Sequence, residues 1–168
     1  MTHTEEQSKY LSIYLRDHVA GGTAGSQRAA RLAEAESDSA DAAALAQFAS
    51  DVAADLDALL KLTEAMGFAP SRIKSGVALV GEKLGALKPN GHLSERSPLT
   101  TIVELEAMQM AVRGKRSLWE TLHVVASPST SVDIDGLITR ADHQLAMLSE
   151  LHAARVTTTL AAEQNRTG

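Results

Sequence analysis

The chain contains no cysteine among its 168 residues. This absence excludes disulfide frameworks, zinc sites built on thiolates, iron–sulfur clusters and cysteine nucleophiles. Aromatic residues are also scarce, at 3%, although hydrophobic residues as a whole reach 44%. The interior must therefore be filled by Ala, Leu, Val and Met, which are the side chains of closely packed helices, and β-strands are disfavoured.

The sequence also lacks an excess of basic residues and any long apolar run. Its 16 lysines and arginines and 21 aspartates and glutamates give a formal charge of −5. The two signs are interspersed, so no basic stripe is available to neutralise nucleic-acid phosphates. The first residues do not have a secretory pattern, and no segment is apolar enough to span a bilayer. We therefore expect a cytoplasmic protein that neither binds nucleic acid nor crosses a membrane.

Apolar residues recur at spacings of three and four along most of the chain, as they do on the buried face of an amphipathic helix. Four long runs have this spacing, and a shorter, partly basic run lies between the second and the third. The total length fits a single domain over residues 1–168. The predicted helices cover residues 4–34, 40–66, 71–87, 98–126 and 133–162.

The connections between the long helices predict how they are arranged. The turns near residues 37–39 and 127–131 are short, so each joins two antiparallel neighbours. The connection between the second and third long helices has roughly thirty residues and contains the run 71–87, which is long enough to return along the bundle. The sequence therefore predicts an all-α, up-down-down-up four-helix bundle with a long, partly helical crossover between helices 2 and 3.

Three glycines, Gly21, Gly22 and Gly25, interrupt the first predicted helix. Each lowers helix stability by about 1 kcal/mol relative to alanine. A close approach by another helix would account for them, and a kink or break at the Gly21-Gly22 pair is the alternative. Space beside these glycines would also suit a small apolar ligand.

Seven polar residues fall on the apolar faces when each helix is drawn with 100° per residue. Counting heights at about 1.5 Å per residue groups them in two layers, each with an acid and a base. Breaking a buried ion pair typically costs about 3–5 kcal/mol, so pairing within a layer would accommodate these charges. The alternative for the two cations is a packed stem with its charged head in water, and for a single inward histidine a hydrogen-bonded core position. The first layer contains His18, Asp55, Lys115 and Gln144, and the second contains Glu104, His152 and Arg155.

Several short phrases add to this pattern. They are Tyr14-Leu15-Arg16-Asp17-His18-Val19-Ala20-Gly21, Val80-Gly81-Glu82-Lys83-Leu84-Gly85, Ser97-Pro98-Leu99, Glu104-Leu105-Glu106 and Gly114-Lys115-Arg116-Ser117-Leu118-Trp119. Together with four long helices and one long crossover, they resemble the ferritin-like superfamily, and nearly the whole chain takes part. Among its members, the sequence is most similar to the uncharacterised, alanine-rich ferritin-like proteins of actinobacteria.

The resemblance implies a centre of two iron or manganese ions, held by a Glu from each of two helices and a Glu-x-x-His from each of the other two. The inward positions depart from this pattern. The second helix has Asp55-x-x-Ala58 there, the fourth has Gln144-x-x-Met147, and the third has Lys115. A lysine at this position would disfavour a cation. We therefore expect a ferritin-like scaffold whose di-metal ligand set has degenerated.

The sequence contains no motif for phosphate binding or for zinc-dependent or serine-dependent hydrolysis. It therefore predicts a protein without a catalytic set or a cofactor, acting as a homo-oligomer or through a protein partner, because the resemblance implies self-association. One alternative is a divergent metal-dependent oxidoreductase or iron-handling protein. Its iron or manganese would be held by Asp55 or Glu104 with His18 or His152. A second alternative is a binder of a small apolar ligand near Gly21 and Gly25.

Overall fold

The computed structural model of the chain describes residues 3–68, 97–125 and 132–161. Within these ranges the fold is all-α, as predicted, and contains no strand. The predicted helix 71–87 lies outside the described residues. No described helix combines the length and the hydropathy needed to cross a bilayer. The helices are α1 (His3–Ala35), α2 (Ala42–Ala65), α3 (Pro98–Val125) and α4 (Ile134–Val156), and a π-helical turn (Thr157–Ala161) follows α4.

The helix ends follow from local chemistry. Gly67 has a φ of 81°, a left-handed conformation that a glycine adopts without strain. Its N–H donates to the carbonyl of Glu64, and the N–H of Phe68 donates to the carbonyl of Thr63, so the last carbonyls of α2 are satisfied. At the start of α4, the Asp133 side chain accepts a hydrogen bond from the N–H of Gly136. The fourth helix is predicted to reach residue 162, but its α-helical part ends at Val156.

Side-chain contacts give the relative direction of the helices. The hydroxyl of Tyr14 in α1 donates to that of Thr121 in α3, and Glu36, just after α1, accepts from Thr101 near the start of α3. These two helices are therefore antiparallel. The helices α3 and α4 are antiparallel as well, because Arg116 contacts Asp142 while His123 contacts Asp135 nearer the turn. The helices α1 and α2 also pack against each other and are antiparallel, because Leu15 and Leu62 lie in one buried cluster whereas Leu32 and Leu45 lie in another.

The buried apolar residues form two clusters, one toward each end of the bundle. In the first cluster α2 contributes Leu59 and Leu62, and in the second it contributes Leu45, Phe48 and Val52. Asp55 falls between Val52 and Leu59 along α2, so a charged position separates the two clusters. The first cluster also contains Leu15, Val19, Leu118, Trp119, Leu122, Ile134 and Leu137, and the second also contains Ala29, Leu32, Leu105, Met108, Val112, Ala141 and Leu148.

The Asp133 cap gives a first test of the fold. Replacement by alanine, Asp133→Ala, removes the acceptor of the Gly136 N–H and should lower the free energy of unfolding by about 1 kcal/mol. Urea denaturation followed by circular dichroism measures this change. The matched control is Asp57→Ala, at an exposed position within α2, which should stay within about 0.5 kcal/mol of wild type. Equal effects of the two substitutions would contradict a capping role for Asp133.

Candidate functional site

A cluster of charged and amide side chains lies inside the bundle, around Asp55. The carboxylate of Asp55 is 1% exposed. Its Oδ2 accepts a hydrogen bond from Lys115 Nζ, and its Oδ1 accepts one from Arg140 Nη1 at 2.9 Å. Lys115 Nζ also donates to Gln144 Oε1 at 2.5 Å, and the Gln144 amide donates to Asp55 Oδ2 at 3.4 Å. Both oxygens of this buried acid are therefore bound by cations from other helices.

Helical periodicity turns these side chains inward. Asp55 occupies the position on α2 that an apolar residue would otherwise fill, and Lys115 does the same on α3. Burial lowers the pKa of the Lys115 ammonium below its ordinary value, and the Asp55 carboxylate opposes this change only in part. The structure thus brings together Asp55, Lys115 and Gln144 of the first predicted layer.

A cavity of about 400 Å³ lies beside this cluster, lined by residues of α1, α2 and α3 and partly open to solvent. On α1 its wall includes Gly21, Gly22 and Gly25. A Cβ added to Gly22 would lie 3.2 Å from Leu56 Cδ1, whereas a Cβ on either of the other two would meet no atom within 4 Å. The expected close approach of another helix therefore occurs at Gly22 only, and the other two glycines border open space. The alternative of a helix break is wrong, because α1 runs unbroken through all three.

Apolar side chains of α2 and α3 form most of the remaining cavity wall. Trp119 is one of them and is 1% exposed to solvent. Its indole Nε1 is buried and has no hydrogen-bond partner within the described part of the chain. The polar residues of the wall are Asp17, His18, Asp55 and Lys115, and the apolar ones include Phe48, Val52, Leu59, Met108, Val112, Leu118 and Trp119.

His18, also predicted in the first layer, lines the same cavity as Asp55. Its ring packs edge-on against Tyr14, with centroids 4.5 Å apart. Among residues 3–68, 97–125 and 132–161, no side chain is hydrogen-bonded to this ring. Burial lowers the pKa of His18, and the nearby charge of Asp17 opposes that change. His18 therefore presents a neutral imidazole to the cavity at neutral pH.

The second predicted layer needs correction, because Arg155 binds carboxylates at the turn between α1 and α2. Its Nη2 lies 2.8 Å from Glu36 Oε2 and 2.9 Å from Asp41 Oδ2. Glu36 also accepts a hydrogen bond of 2.6 Å from the Thr101 hydroxyl. Glu36 lies beyond residue 34, where the first helix is predicted to end, and the sequence analysis missed it. It follows the buried Leu32 by four residues and is itself only 8% exposed, so it continues the inward stripe of α1.

The other members of that layer are less buried than expected. His152 Nε2 lies 3.1 Å from Glu106 Oε1, at a partly exposed position on the bundle surface. Glu104 is half-buried. The helical wheel gives the direction in which a side chain leaves the helix, but it does not say which of several carboxylates a long arginine reaches.

Arg140 was missed by the sequence analysis, although it is central to the cluster. It lies one turn before Gln144 on α4, at the edge of the apolar stripe, and its side chain is 40% exposed. The i,i+4 spacing of a cation and an amide on the side facing Asp55 is the signal that would have indicated it.

The residues at the centre of the bundle do not fit a di-metal site. Within the described ranges, no group of three or more His, Asp or Glu side chains is placed to hold a metal ion. A Glu-x-x-His spacing does occur on α3, as Glu120-x-x-His123, but it lies on the surface. There Glu120 pairs with Arg116, and His123 pairs with Asp135. The ligands that the ferritin-like resemblance implies are therefore not assembled at the cavity.

No protein-family model, curated protein or solved structure matches this chain. The resemblance to ferritin-like proteins accordingly stays a prediction from the sequence. The function must be inferred from the cavity and from the charged cluster beside it.

The charged cluster predicts strong coupling between Asp55 and Lys115. Asp55→Leu leaves Lys115 with Gln144 alone in a buried setting and should cost about 3–5 kcal/mol of unfolding free energy. Lys115→Met should cost about 1–3 kcal/mol, because Arg140 still binds the carboxylate. The double variant should be more stable than Asp55→Leu alone, because it no longer contains a buried Lys115 ammonium without its carboxylate. Urea denaturation of all four proteins gives a coupling energy, expected at about 1–3 kcal/mol.

A surface pair provides the control for this cycle. The Arg116–Glu120 contact joins partly exposed side chains on one helix, and its cycle of alanine variants should give a coupling energy of about 0.5 kcal/mol or less. Additive effects of the Asp55 and Lys115 substitutions would contradict a buried ion pair.

The lowered pKa of His18 predicts how stability depends on pH. The unfolded chain, with an ordinary histidine pKa of about 6.5, takes up this proton at a higher pH than the folded protein does. The unfolding free energy should therefore fall as the pH drops below about 6.5, and His18→Gln should make that fall smaller, by a modest amount because solvent screens the half-buried ring. Urea denaturation at pH 7.5 and 5.5 measures it. His143→Gln, on the exposed side of α4, should keep the wild-type profile, and identical profiles for both variants would contradict the assignment.

Proposed function

We propose that this protein binds a small apolar molecule in the cavity between α1, α2 and α3 and performs no chemistry on it. The observation that carries the proposal is the cavity itself. Its volume of about 400 Å³ falls within the range of small-molecule sites, roughly 300–1,000 Å³. A mostly apolar wall with a few polar groups at one side is also the usual composition of such sites.

The glycines on α1 support a binding role over a packing defect. Protein interiors contain few voids larger than a water molecule, because an empty cavity forfeits packing energy. A larger residue at position 21 or 25 would enter open space and would also favour the helix by about 1 kcal/mol relative to glycine. Glycine at both positions keeps the cavity open at the expense of stability, as expected where the space is used.

The scaffold we propose is the ferritin-like, up-down-down-up bundle without its di-metal centre. The antiparallel packing of α1 with both α2 and α3 supports it, because α2 and α3 must then run in the same direction. Formation of homo-oligomers, binding of a protein partner and a cytoplasmic location stay predictions of the sequence analysis. Light scattering of the purified chain measures the first of these.

The metal-dependent alternative receives less support from the geometry. Both oxygens of Asp55 are bound by cations, and within the described residues His18 belongs to no group of three or more side chains that could hold a metal ion. Elemental analysis of protein purified after growth with iron, manganese and zinc tests this alternative. Stoichiometric metal that is lost in Asp55→Asn would favour a metalloprotein over the proposed binder.

The binding proposal can be tested by filling the cavity from α1. Trp119 is the single tryptophan of the chain and lines the cavity, so its fluorescence reports occupancy. In wild type, toluene, cyclohexanol or adamantane-1-carboxamide should change the Trp119 emission and raise the melting temperature. Gly25→Leu should be more stable than wild type by about 1 kcal/mol and should lose both responses, because the new side chain occupies the space.

The matched control is Gly25→Ala. Its single methyl group meets no atom within 4 Å, so it should gain about the same helix stability and still respond to the probes. A Gly25→Leu variant that responds as wild type does would overturn the proposed site. A wild-type protein that responds to none of the three probes would overturn the proposed function.

A further inference from the structure

The cavity wall contains a cation, Lys115, with one N–H donor that has no acceptor among residues 3–68, 97–125 and 132–161. An ammonium group has three N–H donors. Lys115 Nζ directs one to Asp55 Oδ2 and one to Gln144 Oε1. The Lys115 side chain is only 15% exposed, and the space beside it is the cavity. A ligand atom in the cavity is therefore the natural acceptor for the third donor.

The charge around Lys115 favours an anionic acceptor. The cluster contains two cations, the mostly buried Lys115 and the 40% exposed Arg140, and one buried acid, Asp55, so its formal charge is +1, although solvent partly screens Arg140. The half-buried Asp51 adds a weaker, more distant negative charge. The other acid of the cavity wall, Asp17, is 68% exposed, so solvent screens it strongly.

A cationic ligand does not fit this arrangement. The buried acid of the wall, Asp55, already accepts hydrogen bonds from Arg140 and Lys115 at its Oδ1 and Oδ2. The other acid, Asp17, is exposed and paired with Arg16. A ligand ammonium would also lie beside the Lys115 ammonium with no free acid between them, and like charges in a poorly solvated site repel strongly. The neutral His18 imidazole adds a polar contact without adding charge.

We propose that the cavity takes an apolar molecule that bears a single carboxylate, with one carboxylate oxygen accepting the remaining hydrogen bond of Lys115. This inference rests on the proposed function and specifies its ligand class. The apolar body lies against the side chains of α2 and α3, and the carboxylate adds the negative charge that the cluster of Asp55, Lys115 and Arg140 lacks. Arg140 acts indirectly, because it holds Asp55 and leaves Lys115 free to turn one donor to the ligand.

The test compares two probes of nearly equal shape, adamantane-1-carboxylate and adamantane-1-carboxamide. Both are transparent at the wavelengths of tryptophan fluorescence, so Trp119 emission gives a dissociation constant for each, and calorimetry provides a second value. Wild type should bind the carboxylate about tenfold more tightly than the amide, since hydrogen bonds to charged groups are the stronger ones. Lys115→Gln should bring the two dissociation constants within about threefold of each other while it leaves binding of the amide in place.

Two further variants keep the outcome clear. Arg113→Met removes an exposed cation of α3 and should leave the tenfold preference unchanged, which separates a local effect of Lys115 from the net charge of the protein. If Lys115→Gln does not fold, Lys115→Met is the second variant: it leaves Asp55 paired with Arg140 and should also abolish the preference.

The results distinguish this inference from the function on which it rests. If wild type binds the amide in a manner that Gly25→Leu abolishes, but binds the carboxylate no more tightly, the carboxylate inference is overturned and the binding function stands. A preference that survives in the folded Lys115 variant would likewise overturn the carboxylate inference alone. If neither adamantane probe binds at millimolar concentration, the carboxylate inference is overturned, and the proposed function is overturned with it only if toluene and cyclohexanol also give no response.

Discussion

The ion cluster around Asp55 is the constraint on which the middle of the bundle depends. An isolated carboxylate in a protein interior is strongly destabilising unless it is paired and hydrogen-bonded. Asp55 on α2 obtains these partners from Lys115 on α3 and from Arg140 and Gln144 on α4. Contacts with this one buried acid therefore join α2, α3 and α4. The fourth, α1, contributes no charge to the cluster and instead leaves room beside it.

The cavity and the ion cluster lie at the same height along the bundle. The apolar clusters above and below the ion cluster are well packed, with many leucines almost fully buried. Between them, the glycines of α1 face the acid and the lysine across a cavity. A packing defect would be expected among mismatched apolar side chains. Here the cavity adjoins the Lys115 ammonium, which has one N–H donor without an acceptor among the described residues. We therefore interpret the cavity as a binding site.

The all-helical fold could be predicted from the sequence because its apolar residues have one unbroken helical period. Heights counted from the short turn were sufficient to bring Gln144 level with Lys115, because a short turn and a fixed rise leave little freedom. Bringing Asp55 to the same level also required the assumption that the crossover spans the bundle. The same counting failed for Arg155, whose long side chain reaches Glu36 and Asp41 at the neighbouring turn. The sequence indicated a possible cavity but not its volume. A glycine shows where a side chain is absent, but it does not show how the neighbouring side chains pack there.

The ion cluster also determines the longitudinal alignment of these helices. Stripes made of alanine, leucine and valine are nearly interchangeable, so a slide of α3 past α2 by one turn, about 5.4 Å, would still bury apolar surface. The same slide would take the Lys115 ammonium out of reach of Asp55 and leave the acid with only the partners from α4, Arg140 and Gln144. A single buried polar contact can select one alignment among several similar ones. In a bundle with few aromatic side chains to interlock, Asp55 and Lys115 thus set the register of α2 and α3.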